Sequence, residues 1–498
     1  MKNYNRLLCL LLAPLLFIFS ACTFIEKKEI KEYDYSNMEV SQITYEDINL
    51  SQDYRILPST GELNILVLPI EFKNDLFPTN YKDCINRVFN GSSDKNSDLY
   101  TGYGESVKSF YYKSSYGKLD LNFTIADKYY IDKTARQWAT SDEAKIDGEV
   151  DNGVNLIGKA YDNYKSNNDV LNFDSNTDGY IDGIVAIYSA KDYASGDYTW
   201  DSEEYYWAYC YWASVFDTPY AESDLSNPGF DVYFFASYYF IFENTKSPAV
   251  DYHTMVHEFG HMLGLDDYYS SDSDYGFNPM GGIVMEDFNI CDHDMFTKII
   301  LGWIDPLVGN TSGTVTISSS GETGDAILIP SSAWNETAFD EYILIEFYTP
   351  TYLNELDSKT KYSTRPLGLT DYGIKIYHID ARLLEIKNKR YSYATIENQK
   401  LKSNITYMLA NTNCNKNIVY GDIEHSLCHM IEADNNFDFY RGSTAENNDL
   451  FKAGDTFTIS KYQRFFPNYT KLNNNTSFDY TISIDSIDST SATISITK

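Results

Sequence analysis

The sequence predicts an α+β protein: an amino-terminal part mixing helices with a sheet, followed by a strand-rich carboxy-terminal part. Three observations predict it. Before residue 300, apolar side chains recur at helical spacing, as at Val150, Val154, Ile157 and Tyr161. After Trp303 the period becomes that of strands, at 314–318, 325–330, 341–348, 373–379, 455–460, 479–484 and 491–497. Ser, Asn, Gly and Asp separate these segments, and no strong helix interrupts them. The 45 Tyr and 28 Phe favour pleated, half-buried surfaces throughout.

In chain order, Lys2 and Arg6 border an apolar run over residues 7–19 that ends in Ser20-Ala21-Cys22. The run is too short to span a bilayer comfortably, and small residues before a Cys have the pattern of a lipoprotein cleavage site. Residues 1–21 are expected to be a signal peptide, Cys22 the lipidated first residue, and 22–57 a polar tether. A first domain is expected over 58–305 and a β-rich region, of β-sandwich type or a pair of small β domains, over 306–498. Within the first, 63–72 reads as a strand, 104–113 as a short helix, 118–125 as a strand and 184–188 as a buried strand. Residues 205–213 and 232–242 read as aromatic strands, either of which could be an edge that pairs with an extended peptide.

The formal net charge of −33 excludes nucleic acid as a natural partner, because the phosphate backbone would be repelled. After Cys9 and Cys22, five cysteines remain, Cys84, Cys210, Cys291, Cys414 and Cys428. An odd number cannot all pair within one chain, and none has C-x-x-C spacing. Cys414 and Cys428 are near enough in sequence for a bridge.

The most specific chemistry lies in His257-Glu258-Phe259-Gly260-His261-Met262-Leu263-Gly264-Leu265-Asp266-Asp267. On a helix, residues i and i+4 are about 40° apart around the axis and about 6 Å along it, so His257 and His261 can address one metal ion. Glu258, one residue round, can hold an activated water as a base. Ser247-Pro248 reads as the N-cap and first position of this helix, and Gly264 as its stop. A return turn then brings Asp267, six residues past the second His, to the metal. Adjacent residues in an extended return point to opposite sides, so Asp266 faces away. Gly281-Gly282-Ile283-Val284-Met285 supplies a Met turn beneath the site.

With these pieces in place the chain resembles the immune inhibitor A type of secreted bacterial zinc metalloprotease. The matching segments are Ser106-Val107 through Tyr111-Tyr112, Ser115-Tyr116-Gly117-Lys118-Leu119, the H-E-x-x-H-x-x-G-x-x-D stretch, Met285 with Asp292-His293, and Leu301-Gly302-Trp303. Gly373-Ile374-Lys375-Ile376-Tyr377-His378-Ile379-Asp380 and Met430-Ile431-Glu432-Ala433-Asp434 extend the match to roughly residues 60–435. The resemblance implies a metzincin-like zincin domain, Zn2+ as cofactor, and hydrolysis of peptide bonds. His293 matches a family position and is a candidate for stabilising the transition state or orienting a ligand. Where astacin-like metzincins carry a Tyr two residues past the Met, this chain has Asp287.

Asp174-Ser175-Asn176-Thr177-Asp178-Gly179-Tyr180-Ile181-Asp182 has the spacing of a calcium loop, with Asp174, Asn176, Asp178 and Asp182 as Ca2+ ligands. Position twelve is Val185 rather than Glu. The bland alternative is an Asx-rich turn before a buried strand. His253 lies one helical turn before His257 but too far from His261 to share an ion, and reads as structural. His425 and His429 lack the intervening Glu and read as a surface turn leading into a strand.

The expected protein is a monomeric, lipid-anchored zinc endopeptidase on the extracellular face of a bacterial membrane, acting on protein substrates, possessing Glu258 as general base. The alternative from another class is a surface adhesin using the same fold as a scaffold. The intact Glu258 weighs against it, since a scaffold has no need of that carboxylate.

Overall fold

The computed structural model describes residues 40, 43–52, 55–193, 205–271 and 276–498. The signal segment and Cys22 lie outside the described residues. The architecture is mixed, with several sheets and few helices, compatible with α+β. Among the described residues no helix is long and apolar enough to cross a membrane.

The amino-terminal sheet is built on the strand Gly61–Phe72. Leu119–Ile125 and Tyr129–Ile131 pair with it on one side and Ile184–Tyr188 on the other, all parallel. Val232–Ser237 continues the parallel order, and among the described residues Tyr209–Trp212 is the one antiparallel strand of this sheet, at its edge. Strand side chains alternate between faces, so this sheet feeds two cores. Leu66, Leu68, Ile70, Ala186, Tyr188 and Phe235 pack with Leu156, Ile157 and Tyr161 of the helix Val154–Lys165. Ile65, Val67, Val185, Ile187 and Phe234 face the helix His253–Met262 and its Met255, Val256 and Phe259.

Six of the seven predicted carboxy-terminal strands form, Gly313–Ser318, Ala326–Pro330, Glu341–Tyr348, Gly373–Asp380, Thr481–Ile487 and Ser491–Thr497, while 455–460 contributes only Thr456–Phe457. A five-stranded sheet centred on Glu341–Tyr348 is buried on both faces. Ile327, Ile329, Ile343, Ile345 and Ile376 share a core with Val315, Ile317, Ile484 and Ile494 of a four-stranded antiparallel sheet. Its opposite face puts Leu328, Leu344, Tyr377 and Ile379 into the same core as Val256, Met285 and Trp303. The core behind the motif helix is therefore shared across residue 305.

Several elements differ from expectation. The segment 22–57 is not polar tether to its end. Tyr45–Leu50 form a helix that buries Tyr45 and Ile48, and Leu57 is buried with its N–H donating to Met262 O at 2.8 Å. The motif helix starts at His253, not at Ser247-Pro248. The reason is that the N–H groups of Val250 and Asp251 are engaged by Thr101 O and Ile241 O, at 2.9 and 2.8 Å, outside the helix. Asp251 then starts the helix by accepting from the His253 N–H at 3.1 Å. The helix Tyr81–Asn90, which buries Cys84, Ile85, Val88 and Phe89, has an amphipathic period that the sequence reading passed over. Cys414 and Cys428 are not bridged, and the five described cysteines are free thiols.

Candidate metal centre

The motif helix is fixed at both ends. At its start His253, fully buried, donates Nδ1–H to Asp251 at 2.6 Å and Nε2–H to Asp357 at 3.0 Å. Burial opposes charge on this imidazole, but the two carboxylates outweigh it and raise its pKa to about 9. Halfway along, Tyr111 donates its hydroxyl to Val256 O at 2.8 Å. At its end Gly264 takes φ +89, a left-handed conformation that glycine adopts without strain, and Leu265 N–H closes the turn on Gly260 O at 3.2 Å.

That turn delivers two groups to the imidazoles. Leu265 O accepts from His261 Nδ1–H at 2.7 Å, just as Met285 O accepts from His257 Nδ1–H at 3.0 Å. Both rings are thus held in the tautomer that leaves Nε2 with a lone pair, the usual way a protein orients a metal-binding histidine. Asp267 Oδ1 lies 3.1 Å from His257 Nε2 and 3.5 Å from His261 Nε2, yet it is buried and makes no well-aligned hydrogen bond. The three ligand atoms fall within 4.8 Å of one another, so His257, His261 and Asp267 form a group able to hold a metal ion. Asp266, by contrast, is exposed.

Three acceptors facing one point repel unless a proton or a cation sits among them. Burial opposes charge on His257 and His261, but contact with Asp267 outweighs it and raises both pKa values, His261 the more. Burial also works against ionisation of Asp267, and the two imidazoles overcome it and hold the carboxyl well below its ordinary range. A field that draws protons to this point also draws a divalent cation, and the two-nitrogen, one-oxygen donor set suits zinc. Glu258 is buried beside the group, and burial pushes its pKa up. The edge strand Tyr209–Trp212 lies against this helix, with Glu258 among the charges felt by Cys210. Of the two aromatic segments, 205–213 therefore supplies the edge among the described residues, while 232–242 is a strand inside the sheet only over Val232–Ser237 and turns into a 3-10 helix over Tyr238–Phe242.

Behind the helix sits a carboxylate the sequence reading did not single out. Glu286 is fully buried, with neither oxygen hydrogen-bonded, 3.7 Å from His257 Nδ1 and 4.0 Å from His261 Nδ1. Burial pushes its pKa up to about 7. Gly260 makes the room: a Cβ there would stand 2.1 Å from Glu286 Oε1. The glycine inside the motif was the available signal. Tyr269, two residues past Asp267, was also missed. Its phenol is pushed up by burial first and then by Asp267, with Glu258 contributing, and its ring stacks on Phe288 at 6.5 Å. Met285 is buried and acts here through its carbonyl.

His293 is not at the open side of the site. It is 3% exposed, packed among Phe110, Tyr111 and Trp303, and its Nδ1 lies 3.7 Å from Glu286. The structure thus places it behind the metal group, on the Glu286 side, and does not bring it to His257, His261 and Asp267. The neighbouring Asp292 instead anchors the scaffold, pairing with buried Lys298 at 2.6 Å and accepting from Ser114 Oγ at 2.6 Å.

The calcium loop is corrected too. Asp174 accepts from the N–H groups of Asp178 and Gly179, both at 3.0 Å, and Asp182 from those of Ser175 and Asn64. Asp178 pairs with Arg55 at 3.0 Å and Asn176 caps the Asp178 N–H at 3.2 Å. Gly179 makes the expected turn at φ +86. The oxygens are directed to backbone amides and a guanidinium rather than toward one point, so the structure does not bring these four together as a cation site. His425 pairs with Asp422, and His429 is buried in the strand Cys428–Met430. No family model matches the chain, and no curated protein matches it.

Proposed function

We propose that the protein is a zinc-dependent endopeptidase of the immune inhibitor A type with a metzincin-like catalytic domain. The observation that carries this reading is the convergence of two carbonyl-oriented imidazoles and Asp267 Oδ1 on one point, with Glu258 buried alongside. A zinc ion held by His257, His261 and Asp267 would supply Lewis-acid polarisation of the scissile carbonyl and of the attacking water.

The remaining work falls to this chain's own side chains. Glu258 takes the proton from the attacking water and returns it to the leaving amine. Its burial favours the protonated form, which makes it a better proton carrier between the two steps than an exposed carboxylate. The strand Tyr209–Trp212, outermost in the sheet among the described residues, is the one along which an extended peptide would add, and a strand that passes along an edge is cut internally, as an endopeptidase requires. The expected lipid anchor at Cys22 would hold this activity at the outer face of the membrane against extracellular proteins. Casein digestion by the purified wild-type chain tests the reading. Hydrolysis abolished by a chelator and restored by zinc is expected, and hydrolysis indifferent to both would remove it.

A further inference from the structure

A cavity of about 630 Å³ lies away from the metal group, at the end of the five-stranded sheet. That is within the range of sites for small molecules. Its lining comes from segments far apart in sequence: the turn around Trp334, Arg382 after the strand Gly373–Asp380, Tyr393, Tyr420, and the turn 473–475. We infer that this cavity binds a neutral carbohydrate, an activity separate from peptide hydrolysis and independent of that reading.

The walls are aromatic and held in place. Trp334 is fixed by its Nε1–H, which donates to Thr337 O at 2.8 Å. Tyr393 carries the Arg382 guanidinium 4.5 Å over its ring. Tyr420 is backed by His425, stacked at 3.7 Å and 10°, yet remains 42% exposed. Ring faces of this kind suit the apolar C–H face of a pyranose.

The charged groups of the wall weigh against an anion. The fork of Arg382 is already filled by Asp380, with Nε and Nη2 each 2.7 Å from a carboxylate oxygen. That edge of the guanidinium is spent on an internal carboxylate and is not offered to a phosphate or carboxylate ligand. Asp340 also lines the cavity and both its oxygens accept backbone N–H groups, from Glu341 and Asn335.

Two lining groups lack a hydrogen bond, the Tyr393 hydroxyl and Asn473 Oδ1, and the second is the more deeply buried. Asn473 is 1% exposed and donates Nδ2–H to Asp380 at 2.8 Å, while its Oδ1 has no hydrogen bond. A buried acceptor left unpaired costs free energy, and a sugar hydroxyl would satisfy it while its own oxygen accepts in turn. A neutral, polyhydroxylated ring matches both the walls and this acceptor.

The test is saturation-transfer NMR on the full chain with galactose, mannose, N-acetylglucosamine and lactose, and with glucuronate as the anionic control. Saturable binding of at least one neutral sugar is expected, weakened roughly tenfold by Asn473→Ala and also by Tyr420→Ala. Tyr420 is exposed enough that its variant folds if Asn473→Ala does not. No saturable signal from any neutral sugar, equal binding by Tyr420→Ala, or tighter binding of glucuronate would each overturn the inference.

Discussion

Two stretches of this chain carry ligand-like residues at ligand-like spacing, and the structure treats them in opposite ways. In 257–267 the side chains that could bind a cation are left facing one another: His257 and His261 spend Nδ1 on backbone carbonyls, and Asp267 Oδ1 makes no hydrogen bond beyond its approach to their Nε2 atoms. In 174–182 the carboxylates are consumed locally by N–H groups of the same loop, of Asn64 and by Arg55. The lesson is that spacing proposes a site, and the fate of each donor and acceptor decides it. A loop that satisfies its own oxygens needs no ion to be stable, whereas acceptors that converge unsatisfied do.

The comparison is broken most readily at the third ligand. Asp267→Ala is expected to lower zinc affinity by more than about 100-fold, since even the supports of metal ligands are worth 10–100-fold. The neighbouring Asp266→Ala should leave zinc content unchanged, and Asp267→His should retain part of it. Metal analysis of the three variants checks this, and zinc lost from Asp266→Ala alone would shift the return turn by one residue.

The next effects concern what holds the first stretch rigid. Lys298→Met strands Asp292 in the interior and should cost about 3–5 kcal/mol in a urea melt. His253 is charged between two buried carboxylates. Its folded pKa of about 9 lies above the ordinary 6.5, so its stabilisation is complete below pH 6.5 and is lost as pH rises through 9. The difference in stability between wild type and His253→Gln should shrink by about 3 kcal/mol from pH 6 to pH 10. A difference that does not change with pH would mean that His253 is neutral in the folded chain.

Smaller effects sharpen the contrast. Gly260→Ala drives a methyl into Glu286 and should cost about 1–3 kcal/mol while weakening zinc binding. In the second stretch, millimolar calcium should leave the melting temperature where it is. Asp178→Ala, which removes a half-exposed pair with Arg55, should cost no more than about 1 kcal/mol. A calcium-dependent rise in melting temperature that Asp178→Ala abolishes would restore the loop as a cation site.

Much of this was legible in the chain itself. The i, i+4 histidines, the glycine stop and the register that selects Asp267 over Asp266 are local geometry, and so is the strand period after Trp303. What was not legible depends on partners distant in sequence. His253 meets Asp357 across 104 residues, and Glu286 reaches the helix only because Gly260 leaves room. His293 matched a motif position, but its burial among Phe110, Tyr111 and Trp303 could not be seen from spacing. The start of the motif helix was misplaced because Ser247-Pro248 has the local form of a cap, while tertiary hydrogen bonds hold Val250 and Asp251 outside the helix.

The central claim is that one set of residues binds the metal and Glu258 performs the proton transfer. Zinc content and casein turnover measured on the same preparation of Glu258→Gln test it most directly. The account predicts one equivalent of zinc per chain, as in wild type, with turnover reduced roughly 10²–10⁴-fold. Full turnover by the zinc-loaded variant would contradict it.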